Sequence, residues 1–211
     1  MHISEGVLSA PVLLTGAVLT AGGLWAGLKS LRSEDIPKAS ILSAVFFVAS
    51  LIHVNIGPSS THLILNGLIG VLMGLSAFPI IFLGLLLQGI LFNFGGITTL
   101  GINTFNMAFP AVLFGILLRA PINSKNSVIS TVGSYLGGSL PVLASGLLVA
   151  SSLYLTGSQF LLVSYEVLIG NLPVVLIEGF VVLFCIRFLK KVRPEVLATS
   201  PLGQTTEPAS A

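Results

Sequence analysis

The sequence predicts an all-α, polytopic membrane protein of about seven transmembrane helices, and three observations carry that prediction. Of 211 residues, 54% are hydrophobic and only 8% are charged, whereas a soluble domain carries about 25% charged residues. The mean hydropathy is +1.04. Apolar runs recur along the chain near the ~20 residues that a helix needs to cross the hydrocarbon core. A soluble globular fold is excluded, and the length allows roughly six to eight crossings with little left for an extramembrane domain.

Gly, Pro, Asn and charged residues divide the runs. The first helix is expected over residues 9–28 and ends in a loop holding Lys29, Arg32, Glu34, Asp35, Pro37 and Lys38, which hydrocarbon would not tolerate. A second, over 39–54, stops at the turn-forming residues Asn55, Gly57, Pro58, Ser59 and Ser60. The run 62–94 is too long for one span and reads as two short helices meeting near Ser76 and Pro79. Residues 94–107 are polar and glycine-rich, which predicts a loop folded over one mouth of the bundle. The fifth, sixth and seventh helices are expected over 104–118, 128–155 and 160–189. Gly70 with Gly74, and Gly133 with Gly137, give the small-residue spacing of close helix contacts. Pro173, beside Gly170 and Asn171, can kink the last helix.

Seven crossings place the termini on opposite sides and gather Lys29, Arg32, Lys38, Arg119, Lys125, Arg187, Lys190, Lys191 and Arg193 on one of them. Basic residues are retained on the cytoplasmic face, so the N-terminus is expected outside and the C-terminus inside. The basic residues are read as membrane-flanking charges, with lipid as their neighbour and no nucleic-acid partner. Residues 1–193 form the membrane-embedded domain, and 194–211, rich in Pro, Ser, Thr and Gly, read as a disordered cytoplasmic tail. The basic leader of a signal peptide is missing and Glu5 stands in its place, so the N-terminus is expected to be uncleaved. The expected location is the inner (plasma) membrane. Cys185, the single cysteine, permits neither an internal disulfide nor a Cys cluster.

This topology brings His2, His53 and His62, the only histidines, to the outer mouth. Imidazole is the commonest protein metal ligand. Position 2 adds a specific possibility. The α-amino nitrogen of Met1 and the amide nitrogen of His2 close a five-membered chelate ring on an ion, and the His2 Nδ1 closes a six-membered one. One further imidazole completes a tetragonal all-nitrogen site, which suits Ni(II), Cu(II) or Co(II) rather than harder ions. There is no G-x-x-x-x-G-K-[ST] run, so no ATP is expected to bind this chain, and no H-E-x-x-H. Ser59 and Ser60 lie in a Gly-Pro turn without a carboxylate to orient a base. Glu166 and Glu178 fall on the seventh helix, Glu178 about 18 Å from Lys190 at 1.5 Å per residue. An acid at such depth is either functional or a packing device between helices.

The start Met1-His2-Ile3-Ser4-Glu5-Gly6-Val7-Leu8-Ser9, the stretch Gly57-Pro58-Ser59-Ser60-Thr61-His62-Leu63, the run Gly95-Gly96-Ile97-Thr98-Thr99-Leu100-Gly101-Ile102-Asn103, and residues 173–179 together resemble CbiM/NikM. These are the substrate-specific membrane (S) components of energy-coupling factor (ECF) transporters, a class of ABC transporter, for cobalt and nickel. The resemblance runs to about Leu197. It implies capture of Co(II) or Ni(II) as transported substrate, in service of uptake and of cobalamin biosynthesis in cobalt members. It also implies a transmembrane coupling (T) component, two cytoplasmic ATPase subunits and, because the fused C-terminal segment of some nickel members is lacking, a separate small accessory membrane subunit. The ligands carried over are the Met1 amine, the His2 amide and imidazole, and the His62 imidazole. His53 becomes a neighbouring or entry-path candidate, as do Asn103 and Glu178. Glu5 replaces the usual Asp, and Ile56-Gly57-Pro58 stands where many relatives have Pro-Gly-Gly; neither removes a nitrogen donor. Cobalt is the first expectation and nickel the alternative.

Two other classes are set against this one. A metal sensor would use the tail as its output, and the tail carries no folded signalling domain. An intramembrane enzyme would pair Glu178 with a histidine, and residue counting places the two too far apart.

Overall fold

The structure, a computed structural model, describes residues 2–198 except 52, 57 and 58; the side chains of 53–61 and 198 are also outside the description. Seven helices of eight or more residues carry the fold. They are α1 (Ala10–Ser30), α2 (Ile36–Ala49), α3 (Asn66–Met73), α4 (Ala77–Phe92), α5 (Leu100–Leu117), then α7 (Ser127–Thr156) and α8 (Leu161–Val192) after a four-residue helix, α6 (Arg119–Ile122). Another four-residue helix, α9 (Glu195–Ala198), opens the tail, with Leu197 buried. Among the described residues, five helical segments are long and apolar enough to cross a membrane, counting residues 66–92 as one. This is a multi-pass, helical membrane protein.

Side-chain contacts fix which ends lie together. Ser9 N donates to Thr156 Oγ1 at 3.3 Å, and Asn103 holds Ile3, so the starts of α1 and α5 meet the end of α7. Phe92, at the end of α4, stacks on Phe94 and touches Phe47 of α2. At the opposite end Lys190 of α8 donates to Ile122 O and Ser130 Oγ, tying α8 to α6 and the start of α7. Outward faces of α1 and α8 carry exposed Leu14, Val18, Trp25, Phe180, Phe184 and Phe188, as surfaces in lipid do.

Four expectations change. The second helix ends at Ala49 rather than Val54, and the supposed turn is a two-stranded antiparallel hairpin, β1 (His53–Ile56) and β2 (Ser59–His62), with His53 opposite His62. Val54, Ile56 and Thr61 favour extended backbone, a signal hidden by counting the segment as apolar helix followed by turn. The chain then continues non-helically through Leu63 to Leu65, where Leu65 takes a left-handed φ of 56°, before α3 begins. Lastly, most of the polar segment 94–107 is helix: α5 starts at Leu100, and Asn103, Thr104 and Asn106 are buried. Its amides do not face water. Asn106 Nδ2 donates to Ser152 Oγ at 3.3 Å on α7, which is how a membrane bundle keeps polar side chains inside.

The break between α3 and α4 does fall at Gly74–Ser76, close to the predicted meeting point. Gly70 packs on α5 so closely that a Cβ there would lie 1.9 Å from the Ala111 carbonyl oxygen. Phe78, at the start of α4, lies against Gly23 and Phe92, at its end, against Phe94. α3 thus runs away from the His2 end and α4 returns to it.

Candidate metal centre

The N-terminal segment is non-helical and is held by Asn103, in the first turn of α5, and by Thr98 of the α4–α5 connection. Asn103 Oδ1 accepts from Ile3 N at 3.1 Å, and Asn103 Nδ2 donates to Ile3 O at 3.0 Å and to Thr99 Oγ1 at 3.2 Å. One amide side chain therefore clamps both backbone groups of the residue after His2. Glu5 Oε1 accepts from Thr98 N at 3.1 Å and from Thr98 Oγ1 at 3.4 Å. Gly96, at φ +155°, leaves room for it: a Cβ there would overlap the Glu5 side chain.

Clamping Ile3 sets the His2 ring against that of His62, with centroids 4.9 Å apart and planes 17° from parallel. Phe94 also stacks on the His2 ring, with centroids 6.1 Å apart. His62 is buried, and its Nδ1 lies 2.9 Å from the Leu63 carbonyl oxygen. A proton donated along that bond makes Nε2 the basic nitrogen. Both His2 ring nitrogens are buried without a hydrogen-bond partner among the described residues. Burial holds the His2 imidazole well below the ordinary histidine value, and the cationic chain terminus and His62 add to the effect. The ring is neutral at neutral pH, the form that ligates metals.

Of the sequence candidates, the structure brings His2 and His62 together. Met1 and the His53 side chain lie outside the described residues. Asn103 is near, but it touches the backbone of Ile3 instead of an imidazole. Among the described residues no three His, Cys, Asp or Glu side chains converge as a metal cluster. Phe94 and Glu5 were not predicted as parts of the site. The signal for Glu5 was an acid at an N-terminus already expected to pack under a glycine-rich loop.

Glu178, fully buried on α8, accepts hydrogen bonds at Oε1 from the backbone N–H groups of Ile64 and Leu65, the latter at 2.8 Å. These amides precede α3 and have no helical partner, so the carboxylate serves the start of α3 from a neighbouring helix. Glu178 thus reaches the backbone two and three residues beyond His62. Counting along α8 gave the depth of Glu178, but the extended chain after His62 descends to meet it. Within a membrane such non-helical backbone persists only where protein satisfies its polar groups.

The family described as CbiM, cobalt uptake substrate-specific transmembrane region, matches residues 2–196. This chain belongs to the CbiM family. It is 39% identical over 202 residues to a Haemophilus influenzae protein named for metal transport, covering 93% of this chain and 97% of that one. Two fused relatives are more distant. One, named as a fused cobalt transport protein CbiMQ in Methanocorpusculum labreanum, is 24% identical, with 94% of this chain covering 36% of its length. The other, named as a fused nickel transport protein NikMN in Archaeoglobus fulgidus, is 26% identical, with 93% of this chain covering 68% of its length. A crystal structure titled as a transition metal transporter superposes with a TM-score of 0.79 at 27% identity, over 91% of this chain and 93% of that one. The family match begins at His2.

Proposed function

We propose that this CbiM-family chain is the substrate-specific membrane component of an ECF-type importer and captures divalent cobalt, or nickel, at the outer face of the plasma membrane. The observation that carries this reading is the buried pair of imidazoles, His2 and His62, 4.9 Å apart, with both His2 ring nitrogens unpartnered among the described residues. With metal–nitrogen bonds of about 2.0–2.1 Å, an imidazole centroid lies about 3.2 Å from the ion, so adjacent ligands place centroids about 4.5 Å apart and opposite ligands about 6.4 Å. The observed spacing is close to the adjacent arrangement.

That arrangement agrees with an amino-terminal chelate. The Met1 amine, the His2 amide and the His2 Nδ1 occupy three corners of a plane with the amide in the middle. The fourth corner, taken by His62, is then adjacent to the His2 ring. The two rings are nearly parallel in the structure, and they open towards each other as their nitrogens turn to the shared ion. Two imidazoles and two backbone nitrogens need no third ligating side chain, in keeping with the described residues.

Release to the cytoplasm requires a second state in which this site is broken, since a ligand that binds both states equally shifts nothing. The energy comes from partners: a transmembrane coupling component, as the fused cobalt relative supports, two ATPases and a small accessory membrane subunit. This chain is the non-catalytic, metal-capturing member. Adding one residue before Met1, or acetylating it, abolishes uptake of Co(II) and Ni(II) while membrane insertion is unchanged. Uptake that survives either modification rejects the chelate.

A further inference from the structure

A cleft of about 460 Å³ opens beside His2. Its floor and walls are the N-terminal segment, the start of the α4–α5 connection, and the facing sides of α7 and α8. Ser4 and Val163 at its edge are exposed, whereas Val149 and Asn171 are buried, so it runs from the surface towards the interior. At about 30 Å³ per water, this space admits a divalent ion with its first hydration shell. The walls are mainly apolar, and Glu166 of α8 is the carboxylate among the described lining residues. It is half-buried and makes no ion pair with the described residues.

We infer that this cleft is the route by which a hydrated divalent cation reaches His2, and that Glu166 is its capture carboxylate. The inference rests on the metal reading above and adds a subsite to it. A single negative charge in a cleft with low-dielectric walls focuses its field along the opening and raises the local concentration of cations. The carboxylate holds the ion through its water shell. It then gives the ion up to the nitrogen donors, whose ligand exchange replaces water. Glu166 is thus a positioning residue on the approach and does not enter the final coordination shell. Asn171, whose Nδ2 donates to Val167 O at 2.6 Å, lines the cleft one to two turns deeper on α8, where a side-chain amide can hydrogen-bond waters shed on the way.

The test is stopped-flow binding of Ni(II) to the full chain with an unmodified N-terminus, in nanodiscs of zwitterionic lipid, followed by the visible absorbance of nitrogen-coordinated nickel. At low ionic strength Glu166→Gln slows association about tenfold, the lower end of steering effects, and leaves the spectrum at saturation unchanged. The difference closes in high salt, and Glu166→Asp restores most of the rate. An unchanged Glu166→Gln rate, a deficit that persists in high salt, or an altered final spectrum overturns this inference alone. Wild-type protein that never gains the nitrogen-coordinated spectrum overturns the metal reading and this inference with it.

Discussion

Replacing Glu178 by alanine removes the acceptor that two buried amides share. Ile64 N and Leu65 N both donate to Oε1, and the side chain is fully buried. A buried donor left unpaired costs about 1–3 kcal/mol, so the two together cost roughly 2–6 kcal/mol before any cost of the space left behind. Glutamine keeps a carbonyl oxygen at the same place but sets an amide nitrogen where Oε2 is buried without a hydrogen-bond partner among the described residues, a single unpaired group instead of two. Glu178→Gln therefore costs about 1–2 kcal/mol. Equilibrium unfolding in mixed detergent micelles, followed by far-UV circular dichroism, separates the two variants. Because the loss of order is centred on the segment that directly follows His62, metal uptake falls in parallel with stability. An alanine variant within 1 kcal/mol of wild type, or a glutamine variant as damaged as the alanine one, refutes the assignment of Glu178 as the cap of α3.

Three further outcomes are expected. Asn103→Ala frees Ile3 from two hydrogen bonds and weakens metal binding about 10–100-fold, the usual scale for groups that orient ligands; titration calorimetry with intact N-terminus checks this, and an unchanged affinity contradicts it. Gly70→Ala places a methyl group against the Ala111 carbonyl and forces α3 from α5, costing about 1–3 kcal/mol, read as a lowered unfolding midpoint. Glu5→Ala removes bonds to Thr98 that are exposed to solvent, so it costs at most about 1 kcal/mol and weakens metal binding less than Asn103→Ala does.

Much of the bundle was legible because bilayer thickness imposes a length on each apolar run. Residues 10–30 and 127–156 stand within two residues of the expected helix ends. What was not legible came from polar groups satisfied across the bundle. Asn103 read as a loop residue, and the buried place of Asn106 was not foreseen, because a single sequence does not show the Ile3 backbone or the Ser152 hydroxyl that they meet. The non-helical run from Leu63 to Leu65 was hidden for a related reason: such a segment in a membrane protein is allowed only by its partners, and the partner here, Glu178, lies more than a hundred residues away. His2 was nevertheless recognisable as a ligand candidate, since its terminal position gives it chelating neighbours that an internal histidine lacks, whereas His62 was singled out as its partner by the resemblance to CbiM/NikM. The structure adds their contact, their burial and the Asn103 clamp.

The most direct measurement is the coordination shell of the bound ion. X-ray absorption spectroscopy of the nickel-loaded chain, prepared with a native amino terminus, should show a planar shell made only of nitrogen donors, with imidazole scattering from His2 and His62. That shell should be lost on Met1 acetylation. An octahedral, oxygen-rich shell, or one that acetylation leaves unchanged, contradicts the amino-terminal site.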